Sequence, residues 1–168
     1  MTVAVLPASF DPITCGHVDI IVRASRLFER VIVAVYAHPR KAVMFSLEER
    51  VAMVREAVDH LDGVGVCSFQ GLLVDFCRGA GADVLVRGLR AVSDFEYEYQ
   101  QAAMNRKMLP GLEVISMFPN PDYSFVSSTI IKEIAENGGD VAGMVPGPVV
   151  TRLAERFAER HMSRISRR

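Results

Sequence analysis

The sequence is poor in residues that would tie it together covalently. Its three cysteines, Cys15, Cys67 and Cys77, are odd in number and show no C-x-x-C spacing. That excludes a disulfide framework and offers no zinc pattern; a reducing, cytoplasmic compartment is the expectation. No apolar run approaches about 18 residues, and no basic segment followed by a long apolar one opens the chain. A protein neither exported nor membrane-spanning is expected. Charge of one sign is not in excess either. Nineteen basic against twenty acidic side chains leave a net charge of −1, so no global field argues for a nucleic-acid or membrane partner. Two nucleotide signatures are missing as well. There is no G-x-x-x-x-G-K-[ST] loop, which removes the commonest kinase and GTPase readings. Gly79-Ala80-Gly81 falls short of G-x-G-x-x-G and reads as a turn at a helix end, which makes a dehydrogenase a poor candidate.

What is present is alternation. Short apolar runs at Val3–Leu6, Val31–Tyr36, Val64–Phe69, Val84–Arg87 and Glu113–Phe118 read as strands covered on both faces. Between and after them, helical periodicity runs over Val18–Phe28, Leu47–Leu61, Leu72–Ala80, Asp94–Leu109, Ser128–Asn137 and Pro148–Arg160. Ser46 with Glu49, and Ser93 with Glu96, have capping-box spacing. Pro119–Ser124 reads as a polar loop, and Ser163–Arg168 as a frayed basic tail. Strict alternation implies right-handed crossovers and a Rossmann-like, open five-stranded parallel sheet with helices on both faces. At 168 residues a single domain, 1–168, is expected, burying roughly 70% of its unfolded surface.

Open sheets of this kind bind ligands beyond the carboxyl ends of their strands, and that rule sorts the polar residues. Ser9-Phe10-Asp11-Pro12-Ile13-Thr14-Cys15-Gly16-His17 follows the first strand. It places a hydroxyl and, eight positions on, a histidine at a helix mouth, where free amides favour an anion. A lone histidine is more often inconsequential, but Gly16 permits close backbone approach to a ligand. Lys41, in the loop after the second strand, is either a phosphate ligand or, with Arg40, a solvated basic pair. Gly71–Leu73 follows the third strand. Arg87-Gly88-Leu89-Arg90 offers two guanidinium forks for phosphate, or salt bridges to Asp94 or Glu96. Ser127-Ser128-Thr129 supplies hydroxyls and free amides at another helix start. Nothing resembles an activated nucleophile, since Cys15 has no paired base.

Together Ser9-Phe10-Asp11-Pro12, Thr14-x-Gly16-His17, Met44–Arg50, Arg87–Glu98, Met104-Asn105-Arg106 and Tyr123–Thr129 resemble the T/H-x-G-H nucleotidylyltransferase superfamily. Within it they resemble the bacterial phosphopantetheine adenylyltransferases, from about Val3 to Pro148. T-x-G-H names only the superfamily; the run R-G-L-R-A-V-S-D-F-E-Y-E points to this family. The resemblance implies transfer of an adenylyl group from ATP to 4′-phosphopantetheine, with Mg²⁺. It implies His17, Lys41 and Arg90 as catalytic residues, and Ser9, Lys41, Leu73 and Arg87 on the acceptor. It implies Ser9, Phe10, His17, Gly88, Leu89, Arg90, Glu98 and the segment Tyr123, Ser124, Phe125, Val126, Ser127, Ser128, Thr129 on ATP. A homohexamer and feedback inhibition by coenzyme A are likewise implied. Competing readings are the same chemistry on another phosphorylated acceptor, and a non-catalytic nucleotide sensor. Two positions depart from the family. Ala8 stands where glycine is usual, which would cost on the order of 1 kcal/mol if φ there had to be positive. Lys132 stands where many superfamily members carry arginine, and it lacks the bidentate fork.

Overall fold

Val3 and Val5 face one side of a sheet while Ala4 and Leu6 face the other, and this alternation sorts the core into two clusters. The computed structural model describes residues 1–40 and 42–165, with side chains except at Val92, Ser93 and 159–165. Strand β1 (Val3–Ala8), β2 (Arg30–Tyr36), β3 (Val64–Phe69), β4 (Val84–Gly88) and β5 (Glu113–Met117) form one sheet in the order β3-β2-β1-β4-β5. Each neighbouring pair is parallel. Helices α1 (Cys15–Leu27), α2 (Leu47–Val58), α3 (Leu73–Gly79), α4 (Val92–Met108), α5 (Ser128–Glu136) and α6 (Gly147–Ile165) fill the connections and the C-terminal third. The architecture is the expected Rossmann-like parallel α/β sheet.

The two faces are covered unequally. One packs Ile20 and Ile21 of α1, Met53 and Val54 of α2, Ile131 of α5 and Val149 and Leu153 of α6 into a single apolar layer. The other has α3 with Cys77, and Leu109 and Leu112 beyond α4. The inner strands β1, β2 and β4 are buried along most of their length, whereas β3 and β5, at the edges, are half exposed. Covering both faces of all five strands is therefore met only at the centre. Helix α4 buries only Asn105 among its described side chains, and leaves Phe95, Tyr97 and Tyr99 more than half exposed.

Element ends show where local chemistry outranks periodicity. Helix α1 begins at Cys15 rather than Val18, because Thr14 caps it. The Ser46–Glu49 capping box forms as expected. The Ser93–Glu96 box does not open α4: Ala91 is the N-cap and no side chain caps the helix, so Ser93 falls inside the first turn. Its side chain lies outside the described residues. The loop at Pro119–Ser124 contains a 3-10 turn, Pro121–Tyr123. Helix α6 runs to Ile165, so the start of the expected tail is helical, while 166–168 lie outside the described residues. No described helix is long and apolar enough to cross a membrane.

Candidate active site

The order of strands reverses between β1 and β4, since α1 and α2 lead outward to β3 and α3 returns the chain to the other side of β1. Parallel strands end together, so the loops after β1 and β4 diverge there and leave a crevice. A cleft of about 390 Å³ occupies it, walled by Ser9, Thr14, Gly16 and His17 on one side and Arg87, Gly88 and Arg90 on the other. Asp94 and Glu98 of α4, Tyr123, Val126 and Ser127–Thr129 complete it. Gly88 lines it too, close against Ile20: a Cβ at this position would lie 2.9 Å from Ile20 Cδ1, and that side chain would have to shift.

His17 is set by the start of its own helix. The Thr14 amide donates to its Nδ1 at 3.0 Å, Thr14 Oγ1 lies 3.0 Å from the same nitrogen, and the His17 amide donates to Thr14 Oγ1 at 3.4 Å. This is a capping box in which histidine takes the place usual for Glu or Gln. An amide N–H only donates, so Nδ1 is the accepting nitrogen and the ring proton sits on Nε2. The backbone thereby selects a neutral imidazole with its donor nitrogen away from the cap. The Phe10 ring, buried behind it, meets the imidazole edge-on at 5.1 Å.

The two arginines of the β4 loop already hold carboxylates. Arg87 donates through Nε and Nη2 to both oxygens of Glu98, each at 2.8 Å, and through Nη1 to the Pro7 carbonyl at 3.0 Å. Arg90 lies 3.5 Å from Asp94, whose carboxylate also accepts the Arg90 amide at 3.3 Å. The salt-bridge reading of this motif is therefore met, with Glu98 rather than Glu96 as the partner of Arg87. Both arginines still wall the cleft and are part exposed.

The hydroxyl triplet divides its tasks. Ser127 caps α5 by accepting from the Ile130 amide at 3.1 Å. Ser128 donates to the Pro12 carbonyl at 2.8 Å, tying α5 to the loop after β1, and Thr129 lines the cleft. The N-termini of α1 and α5 thus both open on it, and each favours an anion.

The expected site residues separate into those the fold gathers and those it does not. Ser9, His17, Arg87, Gly88, Arg90, Glu98, Tyr123, Val126, Ser127, Ser128 and Thr129 share the cleft. Phe10 and Leu89 are buried, and Ser124 and Phe125 are not among the residues that wall the cleft, Phe125 being largely exposed. Leu73 packs on the other face of the sheet, with α3. Lys41 lies outside the described residues. Sequence reasoning gave no site role to Thr14, which the T-x-G-H motif contains, nor to Asp94, which it weighed only as a salt-bridge partner.

The two departures resolve differently. Ala8 ends β1 in an ordinary strand, and the non-glycine residue with positive φ among those described is Phe10, at 47°. No glycine conformation is demanded at position 8. Lys132 donates to buried Asp11 at 2.6 Å, so its ammonium is anchored beneath the loop after β1. Cysteine chemistry has no place here. All three thiols are free, and burial raises the pKa of each, that of Cys77 to about 11. Thiolate, the nucleophilic form, is disfavoured.

Known proteins are similar to this chain in sequence and in fold. The cytidylyltransferase-like family profile matches residues 5–134. The chain is 53% identical over 159 residues to the phosphopantetheine adenylyltransferase of Heliobacterium modesticaldum, covering 95% of each. It is 49% identical over 160 residues to that of a Roseiflexus species, covering 95% of this chain and 100% of the relative. A crystal structure described as a nicotinate-nucleotide adenylyltransferase from Vibrio parahaemolyticus superposes with a TM-score of 0.71, over 92% of this chain and 99% of that one. At 17% identity that likeness is one of fold.

Proposed function

This chain belongs to the cytidylyltransferase-like family, in its phosphopantetheine adenylyltransferase branch, and we propose that it transfers the adenylyl group of ATP to 4′-phosphopantetheine. The products are dephospho-coenzyme A and pyrophosphate. The observation that carries the reading is His17, held by its own helix cap as an Nε2–H donor in a cleft between two arginines and two helix N-termini.

The reaction proceeds by direct displacement. A phosphate oxygen of the acceptor forms a bond to the α-phosphorus of ATP while the bond from that phosphorus to the bridging oxygen breaks, and pyrophosphate leaves in line. The attacking phosphate is already anionic near neutral pH, so no strong base is needed. The task of the chain is to bring two mutually repelling polyanions together and to neutralise charge as it develops. His17 donates to the α-phosphate oxygens as charge grows on them. Ser9, Lys41 and Arg87 hold the acceptor, with Leu73 along its pantetheine arm. ATP lies against Gly88 to Arg90, Glu98 and the segment Tyr123 to Thr129, with Arg90 on its phosphates. For an anion to use the Arg87 fork, Glu98 must exchange places with it. That is open to a part-exposed arginine–carboxylate pair.

Mg²⁺ enters with ATP, held by the substrate phosphates and water. Coenzyme A carries both halves of the product and suits the same cleft as a feedback inhibitor. The exposed Phe95, Tyr97 and Tyr99 of α4, with Phe95 and Tyr99 stacked at 6.0 Å, suit a subunit interface of a homohexamer. The whole chain acts as one nucleotidylyltransferase domain in the cytoplasm. Pyrophosphate release from ATP with 4′-phosphopantetheine, against nicotinamide mononucleotide and polyol phosphates, tests the reading. Release with only the first acceptor is expected. ATP binding without release from any of them would make the protein a sensor.

A further inference from the structure

Among the described residues, Arg50 of α2 is the largest whose side chain the fold buries almost completely. Its guanidinium is met by main-chain carbonyls. Nε donates to Phe45 at 3.2 Å, Nη1 to Ser9 at 2.7 Å and to Tyr36 at 2.8 Å, and Nη2 to Ala37 at 3.2 Å. Those oxygens come from the loop after β1, the end of β2 and the approach to α2. Burial lowers the pKa of Arg50 and the charge of Asp11 opposes that change; guanidinium stays protonated regardless.

A buried cation is costly unless its surroundings use it. The Ser9 carbonyl belongs to the peptide leading into Phe10, whose φ of 47° is an outlier for a bulky residue. Such a conformation persists where neighbours over-determine it. Arg50 holds the peptide before Phe10. Asp11 holds the residue after, accepting from the Met44 and Phe45 amides at 2.9 to 3.0 Å and from Lys132. The clamped turn carries Ser9 into the cleft and sets the Phe10 ring against His17.

We infer that Arg50 is a positioning residue for the acceptor half of the site, fixing the loop after β1 against the chain that leaves β2 toward Lys41. This rests on the division of the cleft proposed above. None of its hydrogen-bond partners among the described residues belongs to the loops after β4 or β5, which carry the ATP contacts of Gly88 to Arg90 and Tyr123 to Thr129. Lysine at this position would keep the charge but, donating from one point, would not span carbonyls of three segments.

The test compares the full-length wild-type protein with Arg50→Lys. In steady-state assays the KM for 4′-phosphopantetheine is expected to rise at least ~10-fold while the KM for ATP stays within about 3-fold. Equal increases in both, or a lower kcat with both KM values unchanged, would overturn the inference. Amide hydrogen exchange without substrates gives a readout independent of the acceptor. Faster exchange confined to residues 9–12, 36–40 and 44–46 is expected in the variant. No change, or a uniform increase across the sheet, counts against Arg50. If the wild type releases no pyrophosphate with this acceptor, the proposed reaction fails and the exchange result alone decides the role of Arg50.

Discussion

Two arginines at the carboxyl edge of the sheet, Arg50 and Arg87, bind neutral and charged partners respectively. Arg50 is sealed under the β1 and β2 ends and satisfied by backbone carbonyls. Arg87 stands at the end of β4, part exposed, on the side chain of Glu98. A carbonyl cradle cannot move aside without unfolding the loops it belongs to, so Arg50 is structural by construction. A carboxylate on a rotatable side chain in a wet cleft is exchangeable for a phosphate. The contrast separates the cation that shapes the site from one that serves it.

Five substitutions bear on that contrast. Arg50→Met strands buried carbonyls and is expected to destabilise the fold by about 3 kcal/mol or more. Arg87→Met is expected to cost less stability than Arg50→Met, because its pair is part exposed and Glu98 can turn toward water, yet to raise the acceptor KM at least ~10-fold. Urea denaturation of both variants checks this, and equal losses of stability would erase the distinction.

His17→Ala is expected to lower turnover by more than ~10²-fold, with the fold retained. Near wild-type pyrophosphate release in that variant would remove His17 from the chemistry and leave the arginines to carry it. Thr14→Ala deletes the cap of α1 and should reduce stability by roughly 1 kcal/mol. Because the Thr14 amide that orients His17 is backbone, turnover should fall much less than in His17→Ala. A comparable fall would mean that the hydroxyl, not the amide, aims the ring. Arg106→Ala breaks an exposed pair with Glu113 on the thinly covered side of the sheet. Less than about 0.5 kcal/mol is expected in the same denaturation measurement, and a larger loss would show that exposed pairs on this side do what Arg50 does on the other.

Legibility followed the range of the interaction. The strands and the T-x-G-H helix mouth were readable because alternation and capping act over a few residues. Ser127 as a cap and Ser46 with Glu49 were readable for the same reason. The face on which Leu73 packs was not readable, because the side of the sheet that α3 covers is set by a crossover, not by the segment itself. Arg87 and Glu98 were assigned to different ligands, eleven positions apart in sequence. Their pairing appears only when α4 folds back across the end of β4. The concern over Ala8 dissolved because positive φ falls two residues later, at Phe10, where no composition signal marks it.

By itself, then, the sequence determined the order of elements, the parallel sheet and the family to which the chain belongs. Periodicity and the spacing of a few motifs carry that information within short windows. Only the tertiary structure decided that Arg50, Asp11 and Lys132 form the frame beneath the loop after β1. It also decided that the β4 arginines meet carboxylates in this state. The physical reason is common to both. Whether a charge is buried on carbonyls or left on an exchangeable carboxylate depends on which distant segments converge around it, and that convergence is a property of the packed sheet edge.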